Sequence, residues 1–295
     1  MRTIISTAAS LGAFMLVSAC ATAPEVAVDP VPLDAAFPPA LVELNFESHG
    51  DRLNGHAYLA EGEGPHPTVV LLHGFPGNER NLDLAQDLRS DGFNVLFFHY
   101  RGAWGSEGTY SFTHVIEDVA AATDMLRANT ETYRADPDKL ILIGHSMGGF
   151  AALEAAARDP QVACVAGIAP ANLGLIADAF EADPASAKGF TGYADTMQML
   201  AGMTGENAVA EIMANRDAFD TRLLAPRLAG KSVLIIGGDK DTSVPADTAI
   251  EPLVAAYEAA PDITLTARIL SGDHSFSWSR DALIDEVLDW AEGCR

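Results

Sequence analysis

The residues best suited to chemistry form a short motif, Gly144-His145-Ser146-Met147-Gly148. It follows the apolar run Leu140 to Ile143 and opens the helical pattern Phe150 to Ala157. A serine at such a strand-to-helix turn has its hydroxyl pushed out beyond the strand ends, and small flanking residues let strand and helix approach each other. A serine hydroxyl is a weak nucleophile at neutral pH. It needs a base to take its proton and an acid to hold that base in the right tautomer. Both kinds of residue follow downstream, each after its own apolar run. Gly238-Asp239-Lys240-Asp241-Thr242-Ser243-Val244-Pro245 follows Val233 to Ile236, and Gly272-Asp273-His274 follows Ile263 to Leu270. Of the eight histidines, His274 alone has the right place after the last run. Upstream, His73-Gly74-Phe75-Pro76-Gly77 follows Thr68 to Leu72. Attack on a carbonyl puts negative charge on its oxygen, which needs preorganised amide donors. The Phe75 amide is the first candidate donor, and the Met147 amide, at a helix start, is the second.

These loops need a scaffold that brings strand ends together. Val42, Leu44 and Phe46 alternate with polar residues, and a second short strand at about 55–60 follows a turn expected at Asp51 to Asn54. Beyond this antiparallel pair, buried strands are expected at 67–73, 93–100, 139–143, 162–168, 231–236 and 263–270. Amphipathic helices fit between them at 80–90, 114–129, 147–159, 247–259 and 280–292. Strands alternating with helices imply an α/β fold, a mostly parallel sheet covered on both faces. The rhythm breaks between about 170 and 230, where a helical cap insertion is expected.

The chain has 295 residues and one expected catalytic domain, residues 41–295. With 18 basic and 41 acidic side chains it carries a formal charge of −23, which repels nucleic acid and disfavours highly anionic substrates. Small neutral esters or peptides are the easier partners. No Cys/His spacing suits zinc and no phosphate-cradling or dinucleotide loop occurs, so neither a metal nor a cofactor is expected. Residues 1–19 have a cationic start, an apolar stretch and then small residues, the layout of a secretory signal. Its end, Val17-Ser18-Ala19-Cys20, resembles the bacterial lipobox, which implies a lipidated Cys20 and a membrane-anchored lipoprotein facing the periplasm or cell exterior. Residues 20–40, with five prolines from Pro24 to Pro39, read as a tether. Cys164 lies in an apolar run and Cys294 is the penultimate residue, so two free thiols are expected.

Taken together, residues 41–292 resemble the α/β-hydrolase superfamily, in the branch of esterases and prolyl-oligopeptidase-like or serine-aminopeptidase-like enzymes. The resemblance implies Ser146 as nucleophile, His274 as base, and Phe75 and Met147 as oxyanion donors. It implies Asp241 as the acid, through the family-like pattern Gly-x-x-Asp-x-x-Val-Pro that starts at Gly238. Asp239 is then expected to bond turn amides, and Asp273 adjoins His274 too closely for a straight approach to its outer nitrogen. His145 should pack beside the serine turn and His73 should support the oxyanion loop. The stretch Tyr100 to Gly108 matches the loop after the fourth strand of such enzymes, where Asp-Tyr-Arg-Gly is common and His99 here replaces the aspartate. That loop is read as a turn stabilised by Arg101 and Ser106. Met197, Met199, Met203 and Met213 are read as core, and Glu181, Glu206 and Glu211 as a solvated face. A serine nucleophile argues against haloalkane dehalogenases and epoxide hydrolases, which use a carboxylate. The expected activity is carboxylic ester hydrolysis through an acyl-enzyme, with peptidase or amidase activity as the alternative. A non-catalytic surface lipoprotein is the reading from another class.

Overall fold

The computed structural model describes residues 34–295; the expected signal segment, Cys20 and the expected tether as far as residue 33 lie outside the described residues. The leading strands β1 (Ala40–Ser48) and β2 (Asp51–Leu59) pair antiparallel over their whole length. Their turn is the two residues His49 and Gly50, both with positive φ, 53° and 90°. Two-residue hairpins of this hand match the twist of the strands they join. The turn expected at Asp51 to Asn54 is therefore corrected. Those polar residues belong to β2, where Arg52 and Asn54 bond the 99–108 loop.

The chain continues through β3 (His66–Leu72), α1 (Leu82–Ser90), β4 (Asn94–Phe98), α2 (Phe112–Ala128), the single turn α3 (Thr130–Tyr133) and β5 (Ala135–His145). Then follow α4 (Met147–Ala156), β6 (Cys164–Ile168), the inserted helices α5 (Leu173–Ala182), α6 (Pro184–Ala194) and α7 (Gly205–Ala214), and β7 (Ser232–Gly238). The chain ends with α8 (Glu251–Glu258), β8 (Thr264–Leu270) and α9 (Arg280–Glu292). The eight strands form one sheet in the order β1-β2-β4-β3-β5-β6-β7-β8, parallel from β4 to β8.

Side-chain alternation builds two apolar layers. Val70 and Leu72 of β3, Leu142 of β5 and Val233 of β7 face the layer that holds α2, α4 and α8. Val69 and Leu71, Ile141 and Ile143, and Leu234 and Ile236 face the layer that holds α1 and α9. Because both faces of the central strands are covered, they read as unbroken apolar runs. Each of these fully buried aliphatic side chains contributes on the order of 2 kcal/mol.

One expectation about the cysteines fails. Cys164, at the start of β6, and Cys294, just past α9, form a disulfide with their Cα atoms 6.1 Å apart. Helix α9 packs on the sheet face carrying Leu234 and Ile236 and returns the chain terminus beside β6, closing a separation of 130 residues. Only the packing of α9 brings the two together.

Between β6 and β7 the stretch from Leu173 to Arg227 contains helices and no strand, as the broken rhythm predicts. Its attachment to the main body is specific. The Ser111 side chain caps α2 by accepting from the His114 amide at 3.0 Å, while the Glu211 carboxylate of α7 accepts from the amides of Phe112 and Thr113 at 3.1 and 2.8 Å. These are amides with no partner inside the helix, and a carboxylate there also meets the positive end of the helix dipole. Glu211 is thus an anchor of the insertion, which corrects its reading as part of a solvated face.

Candidate active site

Ser146 sits between β5 and α4 with φ 57° and ψ −120°, a backbone conformation a non-glycine residue adopts only when its surroundings impose it. Ser146 donates its amide to the Ile168 carbonyl at 2.8 Å, and its own carbonyl accepts from the amides of Phe150 and Ala171 at 3.1 and 3.0 Å. The flanking glycines are required sterically. A Cβ at Gly148 would collide with the Leu72 carbonyl oxygen, and one at Gly144 with that of Gly148. The two glycines of the motif are therefore a packing requirement.

His274 lies in the loop after β8, its Nε2 2.9 Å from Ser146 Oγ and its Nδ1 2.7 Å from Asp241 Oδ2. The other oxygen of Asp241 accepts from the amides of Ser243 and Val244 at 2.7 and 2.9 Å. Burial acts to raise the Asp241 carboxyl, but the bonds from His274, Val244 and Ser243 outweigh it and hold the group below its ordinary value. Asp241 therefore stays ionised against His274. This constrains the imidazole, since Nδ1 facing a carboxylate carries the proton and Nε2 then presents its lone pair to the serine hydroxyl.

The remaining candidates fall where their types suggest. Asp239 accepts from the Gly272 amide at 3.2 Å and so ties the two loops together. Asp273 holds its own turn by accepting from the amide and hydroxyl of Ser277, both at 2.8 Å. His145 is buried and donates from Nε2 to the carbonyl of His274 at 2.7 Å, pinning the backbone of that residue. Burial, reinforced by the nearby His274, pushes His145 down to about 4, so it is neutral at physiological pH. Neither His145 nor His73 reaches the Ser146 hydroxyl in place of His274.

Phe75 and Met147 line the same cavity as Ser146. Met147 is the first residue of α4, so its amide is one of those with no partner inside the helix. The Phe75 amide has no acceptor among the described residues. Both residues, with Ser146 and His274, line a cavity of about 250 Å³ whose other walls are Phe112, Leu173, Ile176, Phe190, Tyr193, Ala171, Ser243 and Val244. No Asp, Glu, Lys or Arg side chain borders it. Phe190 and Tyr193 come from α6, so the insertion supplies part of the wall above the serine.

Sequence reasoning missed the aromatic wall and one residue behind the site, Trp104. Its indole N–H donates to the Pro76 carbonyl at 2.8 Å, so the 99–108 loop braces the loop that carries Phe75. The only sequence signal for it is a tryptophan set in a turn between Gly102 and Gly105. The loop itself is held as expected. Arg101 pairs with Asp118 at 2.6 Å and with Glu117, and Ser106 Oγ donates to the His99 carbonyl at 2.7 Å. The four methionines pack partly buried against the core and none lines the cavity. Glu181 pairs with Arg216 at the surface, at 2.5 Å.

Residues 69–286, well over half the chain, match the sequence model of the alpha/beta hydrolase family. The chain belongs to that family. Among curated relatives of this hydrolase, esterase EstD of Thermotoga maritima is 30% identical over 137 residues, 42% of this chain and 32% of that protein. Quorum-quenching protein AidA of Acinetobacter baumannii is 28% identical over 134 residues, 43% of each chain. A proline iminopeptidase of Saccharolobus solfataricus is 30% identical over 116 residues, 37% of this chain and 34% of that one. The matched segments cover less than half of each relative. Among solved structures, Est1E of Butyrivibrio proteoclasticus superposes with a TM-score of 0.64 at 20% identity, covering 86% of this hydrolase and 98% of that chain. An esterase of Pyrococcus furiosus gives 0.63 at 17% identity, covering 88% and 92%. At such identities the likeness concerns the fold.

Proposed function

We propose that this hydrolase is a serine esterase that cleaves uncharged carboxylic esters through an acyl-enzyme on Ser146. The reading is carried by one observation, the continuous chain from Asp241 through His274 to a serine hydroxyl that opens on an uncharged, largely apolar cavity. In the first half-reaction His274 Nε2 takes the hydroxyl proton as Oγ attacks the ester carbonyl carbon. The carbonyl oxygen becomes an oxyanion held by the amides of Phe75 and Met147, and His274 returns the proton to the departing alkoxide. Water then repeats the sequence on the acyl-enzyme and releases the acid. Asp241 stays ionised throughout and stabilises the imidazolium that forms at each attack.

The cavity wall favours esters over aminoacyl substrates. An α-ammonium group buried in it would need a carboxylate, and neither Glu181, Glu206 nor Glu211 lines it. The name of the relative EstD supports an esterase as well. A fluorophosphonate should label the native protein, and Ser146→Ala should abolish both labelling and turnover, the latter by roughly 10⁴-fold or more. Labelling that survives Ser146→Ala would overturn the assignment. Short p-nitrophenyl esters compared with aminoacyl and prolyl anilides test the substrate class.

We also propose that the hydrolase is exported and held on a membrane by lipid at Cys20. The lipobox-like Val17 to Cys20 supports this, as does the Cys164–Cys294 disulfide, a bond that persists in oxidising compartments.

A further inference from the structure

The loop that carries the Phe75 amide is anchored from behind by two buried histidines that do not line the cavity. His73 Nδ1 lies 2.8 Å from the carbonyl oxygen of Gly74. A carbonyl oxygen can only accept, so Nδ1 carries the proton. His73 is wholly buried, and that burial, with Arg80 nearby, pushes it down to about 4. It is therefore neutral, and its Nε2 presents a lone pair. His99 Nδ1 stands 3.2 Å from that Nε2 and must be the donor to it. The result is a directed chain, from His99 Nδ1–H to His73 Nε2 and from His73 Nδ1–H to the Gly74 oxygen.

The end of this chain matters because the Gly74 carbonyl and the Phe75 N–H belong to one planar peptide unit. Fixing the oxygen fixes the direction of the N–H, and drawing electron density toward the oxygen strengthens the N–H as a donor. We propose that His99 is a positioning residue of the oxyanion hole: by donating to His73 it locks the tautomer that clamps the Gly74–Phe75 peptide. Were His73 to carry its proton on Nε2 instead, lone pairs would oppose each other at the Gly74 oxygen, and His99 would have to give up its Nδ1 proton in order to accept. His99 is itself held, its amide donating to the Asn54 carbonyl at 2.9 Å and its own carbonyl accepting from Ser106. Its ring stacks on Trp104, the residue that donates to the Pro76 carbonyl of the same loop.

The inference rests on the reading of Phe75 as an oxyanion donor, and its test has an arm that does not depend on catalysis. In protein labelled with ¹⁵N-histidine, the His73 resonances should show a neutral ring protonated at Nδ1. His99→Leu removes the donor, and His73 should then shift toward the Nε2–H tautomer. His99→Asn places an amide N–H where Nδ1 stood and should restore the original signature. With an ester substrate, His99→Leu should lower kcat by about tenfold or more with KM changed by less than about twofold. Affinity for an alkyl boronic acid, whose tetrahedral adduct on Ser146 places an oxygen at the same amides, should fall in the same ratio. His99→Asn should recover most of both. A wild-type His73 protonated at Nε2 overturns the proposal even if no variant folds. So does a folded His99→Leu protein with unchanged kcat. If the tautomer behaves as stated but turnover survives Ser146→Ala, the reading of the site fails and the hydrogen-bond chain stands.

Discussion

Asp241 Oδ2 stands 2.7 Å from His274 Nδ1, while Asp239, two residues earlier, turns away to accept from the Gly272 amide. The two carboxylates share a loop and divide its work. Asp241→Asn should cut turnover by roughly 10⁴-fold while the fold persists, because an amide there can favour the wrong tautomer of His274. Asp239→Asn should cost far less. Turnover of one ester by both variants, with melting temperatures to establish folding, checks this, and the opposite order of damage would move the acid to Asp239.

Three buried histidines make stability depend on pH. Burial, aided by neighbouring charges, pushes His73 and His145 down to about 4 and His99 to about 3. In the unfolded chain a histidine titrates near about 6.5. Between these values the unfolded state binds more protons than the folded one, so stability falls as pH drops from about 6.5 toward about 4. Above about pH 7 these three groups contribute no slope. Melting temperature should decline through that acid window, and a flat profile from pH 7 to pH 4 would contradict the burial of the three rings in neutral form.

The Cys164–Cys294 disulfide closes a loop of 130 residues. A crosslink over so long a loop restricts the unfolded chain strongly, and its removal should cost about 2–5 kcal/mol. Cys294→Ser, near the chain end and away from Ser146, should lower the denaturation midpoint and leave ester turnover per folded molecule unchanged. Equal midpoints for wild type and variant, with the wild-type thiols confirmed as oxidised, would argue against a stabilising role.

Cys20 lies ahead of a proline-rich stretch and of the expected catalytic domain, residues 41–295. Cys20→Ala should therefore leave the hydrolase folded and active but release it from the membrane fraction. Retention of the variant on membranes after a carbonate wash would place the anchor elsewhere.

The candidate site was legible in the sequence because local backbone demands leave local marks. Gly144 and Gly148 are required where β5 meets α4, and apolar runs ending at Leu72, Ile143, Ile236 and Leu270 mark strands whose ends carry the loops of the site. A parallel sheet lines up those ends, so Ser146, His274 and the loop 73–77 could be named from motif and order, while the choice of Asp241 over Asp239 came from the family resemblance. The two-residue hairpin at His49 and Gly50 was missed because polar β2 residues imitate a turn. The rest depended on contacts between segments far apart in sequence. Cys164 and Cys294 meet only because α9 folds back across the sheet. Glu211 reads as one acid among 41 until α7 lies against the bare amides of α2. The cavity wall combines Phe112, Ile176, Phe190 and Val244 from four separate elements or loops, and the chain from His99 to Gly74 joins the ends of β4 and β3. Strand order, helix docking and tautomer are properties of neighbours in space, and no spacing along the chain encodes them.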